Sequence, residues 1–462
     1  MSFAQQRLWF LDRLEGASAT YHLSGAVRMI GRLDIGVLER SIGAIFARHD
    51  ALRTNFREED GRPFQVISPP GPYSLSIEVM ESVPNGAWTV ALQHRITAEA
   101  ERPFDLARDP LMRALLLPVG TDEHVLMVTL HHIISDQWSV GVVFQEMTAL
   151  YSAFQTGSAD PLPPLAVQYP DYAVWQRQWL AGPLLQSQLD YWTRHLTDAP
   201  ALLDLPLDHP RPKVQRHRGR TRTFVIDQAM TEKVRTLGQG AQATLFMTLM
   251  AAYGLLLGRL SRTTDLVIGT PIANRTQAAL EPLIGFLVNS LPLRLDLSGS
   301  LTVRDLLHQV RATALSAYDH QDIPFEQIVE ATQPARNLSH APIFQAMFVM
   351  QNAPMAEMAL ADLRLISIDP ETVTSKFDIS LSMEERGGAL HALLEYDTDL
   401  FEDATAARIG DLYTRLLSHM VADPTALVHT IPLLDPTEER AVLVDWNATA
   451  AVPVSVVSVL DL

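Results

Sequence analysis

The chain has 462 residues, 47% of them apolar and 19% charged, with a formal charge of −17 and no cysteine. That length exceeds one ordinary domain, so two lobes with separate cores are expected, and the composition is that of a folded protein rather than a disordered one. The charge opposes binding to nucleic acid or an anionic membrane, while the missing cysteines exclude a thiol nucleophile, disulfides and thiolate metal sites.

Taken in chain order, the N-terminal MSFAQQRLWF lacks the basic flank and apolar core of a signal peptide, so a cytoplasmic location is expected. Apolar residues at Leu33, Val37, Leu38, Ile42, Ile45 and Phe46 recur at spacings of three and four, which predicts an amphipathic helix over 33–48 with Asp34 as its cap. HVLMVTLHHII (124–134) reads as a central strand covered on both faces. A second helix follows, with apolar Val143, Met147, Leu150, Tyr151 and Phe154 and with Ser139 as a candidate cap.

The proline-rich passage PLPPLAVQYP (161–170) cannot continue a helix and marks the lobe boundary. This gives an N-terminal lobe over 1–166, a C-terminal lobe over 167–434 and a linker over 435–462. The apolar stretch 244–258 is too short to span a bilayer and reads as a buried core helix, followed by a short strand, DLVIGT (265–270). Helix and strand alternate in both halves, so the fold class is α/β.

HHIISD (131–136) allows three readings: metal ligation, proton transfer, or core building. On a strand His131 and His132 point to opposite faces and cannot share one metal ion, so no metal site is expected. The residues alone leave proton transfer and core packing open.

Several other segments stand in a fixed order around it. They are SFAQQRLWFLDRL (2–14), RHDALRTNF (48–56), HHIISDQWS (131–139), YPDYAVWQ (169–176), TPIANR (270–275), IGFLVNSLPLR (284–294), HQDIPFEQIV (320–329), RNLSHAPIFQAMF (336–348) and KFDISL (376–381). Together they resemble the motif series of nonribosomal peptide synthetase condensation domains, and LLDPTEERAVLVDWNATA (433–450) resembles the segment leading to a following adenylation domain.

The resemblance implies two chloramphenicol-acetyltransferase-like lobes forming a V-shaped pseudo-dimer with a central substrate tunnel. It also implies an acyltransferase that joins substrates carried on the phosphopantetheine arms of donor and acceptor carrier proteins, with no cofactor bound by the domain itself. Acyl-CoA is a donor source if the domain starts a chain.

By the same resemblance the second motif histidine, His132, is the catalytic residue, as general base or as positioner. His131 and Asp136 are structural, and Asp136 is expected to pair with Arg53 or Arg48. Gln137, Trp138, Ser139 and Gly141 are candidates for an oxyanion site at the head of the following helix, and Asn289 and Gln321 for the tunnel wall.

Asp322 and Pro324 read as loop-ordering residues. Gln137 stands where the family usually has glycine, so either the turn needs no positive φ or the donor side is altered. A two-aspartate motif, which would mark a heterocyclisation domain, is absent from this position, and His22 alone does not make the histidine-rich segment of dual epimerising domains. A catalytically silent docking module is the alternative of a different class.

Overall fold

The two most apolar stretches of the chain become the centres of two separate layers. In the computed structural model, which describes residues 1–16, 18–79, 88–334, 337–351, 359–360, 363–368 and 374–449, the strand Glu123–His131 is buried at every position after its first. A run of that composition needs cover on both faces, and it has it. His22–Ile30 pairs antiparallel on one side and Met112–Gly120 on the other.

The whole first sheet runs in the order Ala359–Leu360, Leu363–Ile368, His22–Ile30, Glu123–His131, Met112–Gly120, Ser76–Ile77. Helices Ile35–Arg48 and Gln137–Gln155 pack on it, and Leu38, Ile42, Ile45, Val143, Met147 and Leu150 fill the space between. Asp34 caps the first of these as its sequence predicts, accepting from the Val37 amide at 3.0 Å.

The second sheet has the order Gly219–Ile226, Ala389–Asp397, Ile379–Arg386, Ala346–Gln351, Asp265–Ile272, Asn289–Asp296. Its core is built on the helix Leu245–Ser261, capped by Thr244, in which every residue from 247 to 258 is buried. No single helix among the described residues is long and apolar enough to cross a membrane.

Three expectations need correction. The strand 124–134 stops at His131, because residues His132–Ile134 turn into one 3-10 turn. The helix after it is capped by Asp136, which accepts from the Ser139 amide at 2.9 Å, and not by Ser139. The lobes are also interleaved: Leu363–Ile368 pairs with His22–Ile30, so a cut at 166 leaves two strands of the first sheet in the later segment.

The proline-rich passage ends at the helix Tyr169–Trp179, where Pro170 sits in the first turn, a position that needs no amide hydrogen. Of the expected linker, Pro436–Arg440 is a short helix capped by Asp435 and tied back to Arg415, while residues 450–462 lie outside the described part.

Tyr169 is the bolt between the halves. Its buried ring covers Gly285, and its hydroxyl donates to the Phe286 carbonyl at 2.7 Å and lies 2.9 Å from Ser2 Oγ. A Cβ at Gly285 would stand 1.9 Å from the Tyr169 ring. Gly285→Ala is therefore expected to destabilise the protein by about 1–3 kcal/mol in chemical denaturation, through overpacking. Gly25→Ala, where a Cβ meets nothing within 4 Å, is expected to be neutral or slightly stabilising in the same experiment.

Candidate active site

The corner between the strand ending at His131 and the helix beginning at Gln137 is built by backbone hydrogen bonds that fix both histidines. The Ile133 amide donates to His131 Nδ1 at 3.1 Å, so that nitrogen carries no proton. His131 is thereby the cap of the 3-10 turn, buried against Phe104 and His22.

His132 has the opposite tautomer. Its Nδ1 lies 2.8 Å from the Ser135 carbonyl oxygen, and a carbonyl only accepts, so Nδ1 holds the proton and Nε2 keeps a lone pair. Phe286, from the second half of the chain, meets the ring at 4.8 Å in an edge contact.

Burial first, and the positive charge of Lys376 second, push the His132 imidazolium down to about 3, against the opposing pull of Asp136. His131 is likewise held at about 3, by burial and then by His22. Both rings are neutral at neutral pH. Histidine-labelled protein followed by nitrogen NMR is expected to show His132 as the Nδ1–H tautomer from pH 8 down to 5. The sign follows from the depressed value: with a folded pKa below that of the unfolded chain, the ring's contribution to stability is full above the unfolded pKa and is lost progressively as the pH falls from there to the folded value of about 3. A His132 titration centred near 6.5 would contradict the assignment.

The partner of Asp136 is not the one expected. Arg48 binds Glu146 at 2.8 Å, which also takes His49, and Arg53 binds Asp50 and the Phe46 carbonyl. Asp136 instead meets Arg275, from TPIANR, in a two-pronged contact of 2.9 Å on each oxygen. Four more donors converge on the same carboxylate: the amide and hydroxyl of Ser139 at 2.9 and 2.7 Å, and the amides of Leu287 and Val288 at 3.1 and 3.2 Å. TPIANR stands out as a motif in the sequence, but no local pattern says which arginine 139 positions away will close a pair.

Burial acts to raise the Asp136 carboxyl, but Arg275 and Ser139 outweigh it and hold the group below the usual carboxylate value. Both side chains of the pair are almost fully buried, at 1% and 2% exposure, so removing either strands a charge. Arg275→Met and Asp136→Asn are each expected to cost about 3–5 kcal/mol. The double variant should lose less than the sum of the two by at least about 1 kcal/mol in denaturant titrations, whereas additive losses would show that the pair is not coupled.

The remaining candidates separate into architecture and access. Ser139 spends its amide on Asp136, and the Val140 amide goes to the Asp136 carbonyl, so neither is free for an oxyanion. Gly141 lies in the second turn of that helix, beyond its free amides, which by position are those of Gln137 and Trp138.

Trp138 is half-buried, donates its indole N–H to the Glu281 carbonyl at 2.9 Å and lies 5.5 Å from the Arg275 guanidinium. It bridges the lobes. Gln137 is exposed and is the first helical residue, with no positive φ, so the turn does not need a glycine.

Asn289 is saturated by backbone: its amide donates to the Gln321 and Ile323 carbonyls at 2.9 and 2.7 Å and its oxygen accepts from the Phe325 amide at 3.0 Å. Its polar groups are thereby spent on holding the 321–325 loop. Gln321 donates to the Tyr318 carbonyl and is part of the same loop. Asn289, Asp322 and Pro324 line a cleft of about 50 Å³ between the lobes, which Ala4 and Arg7 close from the first helix. A larger groove of about 780 Å³, between helices Gln228–Gly240, Val303–Asp319 and Asp403–Ala422, shares no residue with this corner.

Comparison with known proteins converges on one group. A family model described as "Condensation domain" matches residues 1–443. The chain is 44% identical over 453 residues to part of the linear gramicidin synthase of Brevibacillus parabrevis, covering 97% of this chain and 6% of that polypeptide. It is 37% identical over 461 residues to a dimodular nonribosomal peptide synthase of Bacillus subtilis (strain 168), covering 97% of this chain and 19% of that one.

Among solved structures, the X-domain from teicoplanin biosynthesis superposes with a TM-score of 0.84 at 30% identity, over 94% of this chain and 97% of that one. The first condensation domain of the calcium-dependent antibiotic synthetase shares the fold, with a TM-score of 0.79 at 19% identity over 94% and 98%. The chain spans less than a fifth of the length of either synthetase it matches.

Proposed function

Because the chain belongs to the condensation-domain family of nonribosomal peptide synthetases, we propose that it joins a donor acyl or peptidyl thioester to the amine of an acceptor aminoacyl thioester. The observation that carries this reading is His132: a neutral imidazole with its proton fixed on Nδ1 toward Ser135 and its Nε2 lone pair unspent. Both substrates reach it on phosphopantetheine arms of carrier proteins, so the domain needs no resident cofactor. A downstream adenylation domain follows the 433–450 segment, and the assembly works in the cytoplasm.

The acceptor nitrogen attacks the thioester carbonyl carbon and the C–N bond forms. The proton made acidic on that nitrogen is shared with His132 Nε2 and handed to the departing sulfur as the C–S bond breaks. An imidazole depressed this far is a weak base, which suits holding and relaying a proton from the intermediate more than stripping one from a free ammonium.

The extension donor, an aminoacyl or peptidyl group, is favoured by the similarity to two polypeptides of the linear gramicidin synthase, each 44% identical. A fatty acyl starter donor is the alternative within the same chemistry. A second reading, a module that recruits another protein, takes support from the likeness to the X-domain, which is also solved in complex with OxyB.

Intact-mass analysis of an acceptor carrier, after incubation with aminoacyl-, peptidyl- and fatty acyl-loaded donors, decides among these. His132→Ala is expected to lower turnover by about 10²–10⁴-fold with folding intact. Full activity in that variant would remove His132 from the chemistry, and no amide from any donor with the wild type would favour the recruiting module.

A further inference from the structure

Lys376 is the cation that the corner leaves unspent. It stands in KFDISL, just ahead of the strand Ile379–Arg386, and is half-buried. Its ammonium lies 5.2 Å from the centre of the Tyr21 ring, in the other lobe. Tyr21 immediately precedes His22, and His22 is the register partner of His131, so the lysine is delivered to the strand end where His132 begins its turn.

Among the described residues the ammonium forms no ion pair and donates no hydrogen bond. The carboxyl whose charge it feels, Glu395, is held 3.3 Å from Ser375 Oγ, and burial shifts that carboxyl upward, toward its neutral form, which weakens it as a counter-ion. A lysine has three donors, and holding it half-buried with none of them spent is unfavourable, so packing alone does not account for it. Its charge reaches both motif histidines and, after burial, is the largest influence on His132.

We propose that Lys376 is a catalytic residue, its ammonium binding the oxyanion that forms when the acceptor amine attacks the donor thioester. This rests on the amide-forming reading above. As the C–N bond forms, the carbonyl π pair moves to oxygen, and that oxygen faces the Lys376 ammonium while the nitrogen faces His132 Nε2. Collapse restores the carbonyl, breaks the C–S bond and returns the proton to sulfur. The two side chains thus take opposite charges of one intermediate, the arrangement that gains most in a site where water is excluded.

The test is single-turnover and steady-state amide formation between loaded donor and acceptor carriers by the wild type, Lys376→Met, Lys376→Gln and Lys376→Arg, with melting temperatures measured alongside. Lys376→Met is expected to lower kcat about 100-fold, to change KM for the acceptor carrier by less than about threefold and to keep or raise the melting temperature, because it removes an unpaired, half-buried charge. Lys376→Arg should recover part of the rate. A kcat for Lys376→Met within threefold of wild type overturns the proposal. So does a melting temperature lowered by several degrees in both Met and Gln variants, which would make the residue structural, or an Arg variant no faster than Met. A wild type that makes no amide at all would instead defeat the underlying reading of the function.

Discussion

The buried pair of Asp136 and Arg275 is the constraint on which the site depends. A carboxylate taken fully out of water costs several kcal/mol unless every lone pair is met, and Asp136 meets this demand with six donors from separated segments. Two come from its own helix start, two from Arg275, and two from the backbone at Leu287 and Val288. The lobes must therefore close on one another for the charge to be tolerated. Ser139 reinforces this: its hydroxyl proton goes to Asp136 while its oxygen accepts from the Gly285 amide of the second lobe.

His132 inherits its geometry from that pair without touching it. The carbonyl that fixes its tautomer belongs to Ser135, the residue directly before Asp136, so any shift of the carboxylate moves the acceptor that orients the ring. In a Ser-His-Asp triad the aspartate faces the imidazole and strengthens it as a base. Here Arg275 absorbs the aspartate charge and a neutral carbonyl takes its place at Nδ1. The resulting imidazole is weak, and its value to the reaction lies in placement of a lone pair rather than in basicity.

How much of this the sequence displays depends on whether the cause is local. The helix Ile35–Arg48 with its Asp34 cap, the core helix Leu245–Ser261 and the buried strand through Leu130 all follow from spacing and composition within a single window. The α/β class and the two cores follow from the same signals. The end of the strand at His131 does not, because an apolar run looks alike in a strand and in the 3-10 turn that follows it. The partner of Asp136 is invisible for a stronger reason. Arg48 and Arg53 are closer in sequence, but each already has an acidic neighbour, Glu146 and Asp50, and only the folded chain shows that they are taken. Asn289 misleads similarly: an amide in a motif near a cleft suggests a ligand contact until its four backbone partners are seen.

The site then holds two interior cations with different fates. Arg275 is matched, terminal nitrogen to oxygen on both prongs, by a carboxylate and contributes rigidity, since a planar fork against two oxygens fixes both distance and direction. Lys376 is matched only by an aromatic face and a weakened carboxyl, so its charge remains available to the space around His132. A fold that neutralised both would be more stable but electrostatically inert at the point where an anion must form. One that neutralised neither would not close its lobes. Keeping one spent and one free lets the same corner be rigid and reactive, because the charge that organises it is separate from the charge that the reaction meets.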